Sequence, residues 1–255
     1  MTSNQNPQSS DYPERAVAFI DILGFAQLIG RIGSEPALHR RVKRALTWFN
    51  HMQESSLKPN TSQTALEFAV FSDSVVISAA VHELHSILWS VLHLQAELFG
   101  IGVLLRGGIA QGRLIHRGNL IYGEGMLRAY ELESRVAVYP RVIVEDELVT
   151  DLPDAYRSIF LRQDSDSMWF LDPFSLGIGG VDAEALLVDG YDPHEEALKK
   201  LGSEIERQIA TTTDTGHRVK WAWLKRQHEL AVDQFRREGQ PKLWAFMKDR
   251  WPKQQ

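Results

Sequence analysis

Apolar and polar positions divide the first half of the chain into short runs, and two of these runs share a form. Residues 15–25 read RAVAFIDILGF and residues 66–78 read LEFAVFSDSVVIS; each apolar run reaches a single aspartate, Asp21 or Asp73. The unbroken apolar stretch 16–20 predicts a strand covered on both faces. A short helix is expected to start within residues 23–29. A second follows, with Ser34 as N-cap, Pro36 in its first turn, and Leu38, Val42, Ala45, Phe49 and Met52 along one face. Residues 66–71 and 75–80 are apolar with only Ser-Asp-Ser between them, which predicts a β-hairpin with Asp73 at or near its turn. Residues 82–99 carry Leu84, Ile87, Leu88, Val91, Leu94 and Leu98 at helical spacing, closed by Gly100 and Gly102. Two strands over 103–111 and 113–122, turning near Gly112 or Gly118, a helix over 123–134 and a strand over 141–144 complete this half. The order β-α-α-β-β-α-β-β-α-β predicts an α+β sandwich with helices on one face of a largely antiparallel sheet. A doubly wound sheet ranks lower, because two strand pairs have connections too short for parallel crossovers.

After residue 150 the pattern changes. A hairpin is expected from 159–162 and 168–171 around Asp164-Ser165-Asp166, which reads as a solvated turn. Residues 172–190 look like loop. Two helices follow, one with Leu198, Leu201, Ile205 and Ile209 on a face, the other with Trp221, Leu224, His228, Ala231 and Phe235 near coiled-coil spacing. Trp221 and Trp223 are expected not to share one core, leaving one to cover a subunit interface or to pack within the monomer. The domain reading is a disordered tail at 1–13, a main domain at 14–150, and a hairpin and helical extension at 151–255 packed on the main domain or on a second subunit.

Composition narrows the chemistry. With 255 residues, 44% hydrophobic and 24% charged, the chain has enough apolar sequence for a full core. A net charge of −5 gives no reason to expect nucleic acid or a membrane surface as the main partner. The absence of cysteine removes disulfides, zinc–thiolate sites and thiol nucleophiles, and makes the cytosol the natural compartment. The N-terminal stretch lacks the charged start and apolar core of a signal peptide, and no segment is long enough to span a membrane.

The candidate chemistry centres on the two aspartates. A carboxylate at the end of a buried strand is costly unless paired or bound to a cation. Two at adjacent strand ends could hold divalent ions through oxygen ligands. The plainer alternative is that Asp21 caps a helix and Asp73 is a turn residue. His82 and His85 lack the spacing of a zincin helix and a third ligand, and the Gly-rich 106–112 has no Gly-Lys-Ser/Thr and is not a P-loop.

FIDILGF, FSDS, LLRGGIAQG and GEGMLRAYELES occur in that order, and together they resemble the catalytic domain of class III nucleotidyl cyclases over residues 15–148. The resemblance implies a ferredoxin-like domain, βααββαβ, that works as a homodimer with sites at the interface. It implies that Asp21 and Asp73 bind two Mg²⁺ or Mn²⁺ ions, with the main-chain carbonyl of Ile22 as a further ligand. Leu23, Gly24 and Phe25 would then meet the triphosphate at a helix start, and the product would be a 3′,5′-cyclic monophosphate. The departures are specific. The family's purine-reading positions fall at Ala69 and near Leu120. Its ribose-aligning Asn and transition-state Arg, supplied by the partner subunit's helix, fall at Leu127 and Glu131.

This set is similar to the bacterial pyrimidine cyclases of Pycsar anti-phage systems, with which the chain shares both aspartates, the stretch GMLRAYELE at 125–133 and KWAWL at 220–224. The resemblance implies conversion of UTP or CTP to cUMP or cCMP on phage infection, and a separate effector that the product activates. Arg106 is the candidate replacement cation and nucleotide ligand, because an Arg fork matches phosphate geometry; Arg128 is the runner-up. Phe71 is the favoured residue for filling a pyrimidine pocket, sharing strand parity with Ala69 and Asp73. Phe68, Trp48 and Phe49 are the other candidates, Phe49 more in keeping with the core. Two alternatives stay open: a cyclase-like module that binds a nucleotide without turnover, and a purine cyclase with a rebuilt pocket.

Overall fold

The computed structural model describes residues 11–56, 66–99, 101–175 and 193–239. The expected tail, apart from residues 11–13, and most of the expected loop at 172–190 lie outside the described residues. In chain order the elements are β1 (Glu14–Leu23), α1 (Phe25–Ile32), α2 (Pro36–Ser56), β2 (Glu67–Phe71), β3 (Ser74–Ala80), α3 (Leu84–Phe99), β4 (Leu104–Arg113), β5 (Ile115–Arg117), β6 (Leu120–Tyr122) and α4 (Glu124–Glu131). Then come β7 (Val142–Val144), α5 (Asp146–Asp151), α6 (Asp154–Phe160), β8 (Leu161–Gln163), β9 (Trp169–Leu171), α7 (Pro193–Thr211) and α8 (Thr215–Glu238).

The main sheet runs β2-β3-β1-β4-β7-β9-β8. β1 lies between β3 and β4 and is antiparallel to both. With α2 before the β2–β3 hairpin and α3 before β4, its first four strands have the ferredoxin-like β-α-β-β-α-β order. β1 lies in the interior of the sheet because its run Ala16 to Ile20 is apolar on both faces and buried throughout. β7 joins β4 in parallel, and β9 and β8 add antiparallel beyond it. The hairpin after residue 150 thus continues the main sheet.

One face of the sheet carries Ala16, Ala18, Ile20, Ile22, Val75, Ile77, Leu105 and Ile109, packed with Leu38, Val42 and Ala45 of α2 and the apolar stripe of α3. The other face is not bare. Val17, Phe19, Val76 and Ala110 cluster with Ala129 of α4. Nearby, Leu104, Ile143 and Phe170 cluster with the apolar faces of α7 and α8. Helices therefore cover both faces, against the expectation of one. α4 comes close because β4 presents glycines: a Cβ on Gly108 would stand 2.4 Å from the Ala129 carbonyl oxygen, and one on Gly112 would stand 2.6 Å from the Gly125 nitrogen.

Four further expectations are corrected. β4 runs through Gly112, and residues 115–122 form a separate two-stranded hairpin, β5–β6, turning at Gly118. Ser34 does not cap α2; its hydroxyl donates to the Arg31 carbonyl at the end of α1. Asp164 and Asp166 are not a plain solvated turn. Both accept from Arg141, whose side chain is 1% exposed, and Asp164 Oδ2 also accepts from Trp223 Nε1 at 2.9 Å. A buried guanidinium needs such partners to offset its desolvation. Finally, Trp221 and Trp223 are both buried in the cluster between α8, α7 and the sheet, because α8 is enclosed on more than one side. Among the described residues no helix is long and apolar enough to cross a membrane.

Candidate active site

The register of the sheet builds the site. Asp21 stands opposite Ser74 on β3 and opposite Arg106 on β4, and Ser74 stands opposite Phe71 on β2. Directly paired residues share a face, so Phe71, Ser74, Asp21 and Arg106 form one row across four strands. The next row on that face is Ala69, Val76, Phe19 and Gly108. Phe68, opposite Ile77, faces the main core and is 7% exposed, which removes it as a pocket residue. Phe71 is 51% exposed on the site face, while Ala69 is buried. The side chains of Trp48 and Phe49 lie outside the described residues.

Asp73 occupies the two-residue turn between β2 and β3 with Ser72, whose φ is 56°. That positive φ at the first turn position is where a hairpin usually places glycine. The Ile22 N–H donates to the Asp73 carbonyl at 2.7 Å, so the turn is fastened to the end of β1 one residue past Asp21. Gly24 then ends the strand with φ 74° and opens α1. Leu28 N–H is bonded to the Gly24 carbonyl, leaving the N–H groups of Phe25, Ala26 and Gln27 in a first turn with no intrahelical acceptor. Leu23, Gly24 and Phe25 are thus placed beside the aspartates.

Arg106 reaches toward Asp21, 3.5 Å between Nη2 and Oδ2, but its main partner is Glu133, at 2.6 Å from Nε and 2.5 Å from Nη2. Glu133 is only 3% exposed. It lies in a widened π turn (Leu132–Val136) that continues α4, a distortion often found at functional sites. Sequence reasoning did not single out Glu133; its one signal is its place at the end of the 125–133 stretch. Arg128 does not face this cluster freely: Glu145 holds it at 2.5 Å and Glu147 at 3.1 Å. Leu120 and Leu127 are exposed apolar residues, the second on α4, and Glu131 pairs with Arg135 of the same helical stretch.

Charge in the cluster is unbalanced. Burial raises the Asp21 carboxyl above its usual range, and the negative charges of Glu133 and Asp73 raise it further. Arg106 and, from α8, Lys220 pull it down without cancelling that rise. Three carboxylates, Asp21, Asp73 and Glu133, face two cations, Lys220 and an Arg106 that Glu133 already engages. Hard oxygen donors in negative excess are a donor set that suits Mg²⁺ or Mn²⁺. Among the described residues no group of three or more His, Cys, Asp or Glu side chains converges as a cation cage, so a cation here would draw on two aspartates and the main chain. This fits an ion that keeps waters or substrate oxygens as its other ligands.

No family model matches the chain, and no curated relative is matched. Among solved structures it is similar to a bacterial light-regulated adenylyl cyclase at 13% identity and TM-score 0.41, covering 64% of this chain and 91% of that one. A second bacterial light-regulated adenylyl cyclase structure matches at 13% identity and TM-score 0.43, covering 77% of this chain and 60% of the other.

Proposed function

We propose that this chain is a nucleotidyl cyclase acting on a pyrimidine nucleoside triphosphate, UTP ahead of CTP. It would release diphosphate and a 3′,5′-cyclic monophosphate that serves as a second messenger for a separate effector in anti-phage defence. The observation that carries the reading is the fastening of Asp73 to the end of β1 beside Asp21, within a cluster whose negative charge exceeds its positive charge. Asp21, Asp73 and the Ile22 carbonyl would hold two divalent ions, Mg²⁺ or Mn²⁺. Such ions supply acidification of the ribose 3′-hydroxyl and neutralisation of the departing diphosphate.

The chain's own groups do the rest. The free N–H groups at the start of α1 receive phosphate oxygens. Arg106, held in place by Glu133, faces the reacting centre with its remaining donors. The 3′-oxygen attacks the α-phosphorus, its proton passes to solvent, and the bond to the bridging oxygen breaks. Phe71 offers an exposed ring on the site face, where a base can stack, and Ala69 offers no polar atom to read a purine. A base is strongly selected only where buried polar groups pair with it, so the loss of the purine readers at Ala69 and Leu120 favours a different base. A homodimer is part of this reading: Leu127 and Tyr130 on α4 and Leu120 and Tyr122 on β6 are exposed apolar residues that a second copy could cover.

A second reading, a nucleotide-binding module without turnover, draws support from Glu133, which engages the guanidinium of Arg106. One experiment separates the two. The purified chain is incubated with Mn²⁺ and each of the four nucleoside triphosphates, and products are identified by mass. Cyclic UMP, with cyclic CMP second, is expected, and Asp73→Ala should abolish it. Cyclic AMP as the sole product removes the pyrimidine assignment, and nucleotide binding without diphosphate release favours the second reading.

A further inference from the structure

We propose that Ser74 is the ribose-binding residue of this site, its hydroxyl pairing with the 2′-hydroxyl of the nucleotide and selecting ribonucleotides over deoxyribonucleotides. The inference deepens the reading of the site as one for a nucleoside triphosphate and rests on it. Ser74 opens β3 and stands between Asp21 on β1 and Phe71 on β2. The Ile22 N–H donates to the Asp73 carbonyl, and hydrogen-bonded and non-hydrogen-bonded pairs alternate along an antiparallel ladder. Asp21 and Ser74 are therefore a non-hydrogen-bonded pair, the closer kind, with Cβ atoms about 4.5–5.5 Å apart.

The row Arg106, Asp21, Ser74, Phe71 changes chemistry along its length. It begins with charge, passes a neutral hydroxyl and ends in an exposed ring. A nucleotide changes in the same order, from phosphate through sugar to base. Neighbouring strands lie about 4.8 Å apart, so Asp21 and Phe71 are about 10 Å apart with Ser74 midway, where the sugar would lie. The hydroxyl is available there. β3 carries two serines on this face, four residues apart. Ser78 is engaged: its hydroxyl accepts from Arg15 Nε at 3.1 Å and lies 2.8 Å from His116 Nδ1. The Ser74 hydroxyl makes no hydrogen bond among the described residues, although the residue is only 9% exposed. Nor is it one of the fully enclosed, unpaired side-chain polar atoms, which belong to Gln95, His116 and Arg141, so it stays accessible. An unpaired polar group on a largely buried strand is costly, which a ligand bond would offset. A hydroxyl both donates and accepts, which suits a second hydroxyl. The 3′-hydroxyl is consumed in cyclisation, leaving the 2′-hydroxyl as the one to be read.

The test uses the full chain with Mn²⁺ and the α,β-methylene analogue of UTP, which cannot release diphosphate, beside its 2′-deoxy counterpart. Affinity is read by calorimetry. Wild type is expected to bind the ribose form at least about fivefold more tightly. Ser74→Ala should bind the two forms alike, with an unchanged melting temperature, and Ser74→Thr, which keeps the hydroxyl, should keep the preference. A Ser74→Ala chain that retains the preference overturns the inference, and so does a wild type that binds both forms alike or neither. An equal loss of affinity for both forms with a lowered melting temperature marks a structural role and overturns it as well. If the preference depends on Ser74 but no triphosphate is cyclised, Ser74 stands and the cyclase reading falls. If wild type cyclises UTP and 2′-deoxy-UTP with equal KM, the cyclase reading stands and Ser74 falls.

Discussion

At the scale of single residues, Asp21 carries the sharpest consequence. Its carboxyl is raised above the usual range by burial first and by neighbouring carboxylates second. The folded chain therefore holds this proton more tightly than the unfolded chain does. The penalty is absent below the ordinary carboxylate value, grows as pH rises through the raised one, and is fully present at neutral pH. Asp21→Asn in cation-free buffer should consequently raise the melting temperature at pH 7 by roughly 2–4 °C, with the difference from wild type vanishing near pH 3. Added Mn²⁺ should stabilise wild type and leave Asp21→Asn unmoved. Thermal unfolding at the two pH values, with and without Mn²⁺, decides it; a lower melting temperature for the variant at pH 7 refutes the charge argument. Asp21 and Asp73 could be found in the sequence because each interrupts an apolar run, where a carboxylate has no cheap explanation. Glu133 could not. On a helix whose exposed face is charged, one more glutamate is unremarkable, and only the π turn rotates it inward against Arg106.

At the scale of elements, the site depends on how closely α4 approaches β4. Gly108 is where that approach is tightest, with Ala129 O, Leu132 Cβ and Glu133 N all close to where a Cβ would stand. Gly108→Ala must push the end of α4 away and carry Glu133 with it. The expected cost is about 1–3 kcal/mol in urea unfolding, together with a loss of activity as Arg106 loses its support. Gly33→Ala is the control, since nothing lies within 4 Å of its added methyl and its φ is an ordinary −65°; it should be neutral or slightly stabilising. If Gly108→Ala behaves like Gly33→Ala, the seam does not hold the site. The core strands and α2 and α3 were legible because their periodicities of two and 3.6 report burial directly. The short β5–β6 pair was not, because Gly112 looks like a turn when it is a point of helix contact. The aspartates at 164 and 166 misled for a related reason: a turn rich in Asp and Ser reads as wet, and nothing local announces that Arg141 lies buried beneath it.

At the scale of the whole molecule, the second face of the sheet is unevenly covered. α4 closes it over β1 and β4, and α7 and α8 over β4, β7 and β9, while Phe71 at the β2 end of its row stays exposed. Elsewhere on the surface Leu120, Tyr122, Leu127 and Tyr130 are each about half exposed or more, exposed apolar side chains that association would cover. If the proposed cyclase pairs through this face, α4 is the element a second copy would meet. Leu127, at 58% exposure, is the residue whose change should separate association from folding. Leu127→Glu places a charge where the partner would pack and touches little within its own chain. Expected are a concentration-independent monomer by analytical ultracentrifugation, a melting temperature near that of the isolated wild-type protomer, and loss of cyclase activity. A Leu127→Glu chain that stays dimeric would place the interface elsewhere, and a monomer with full turnover would show that one copy completes its own site.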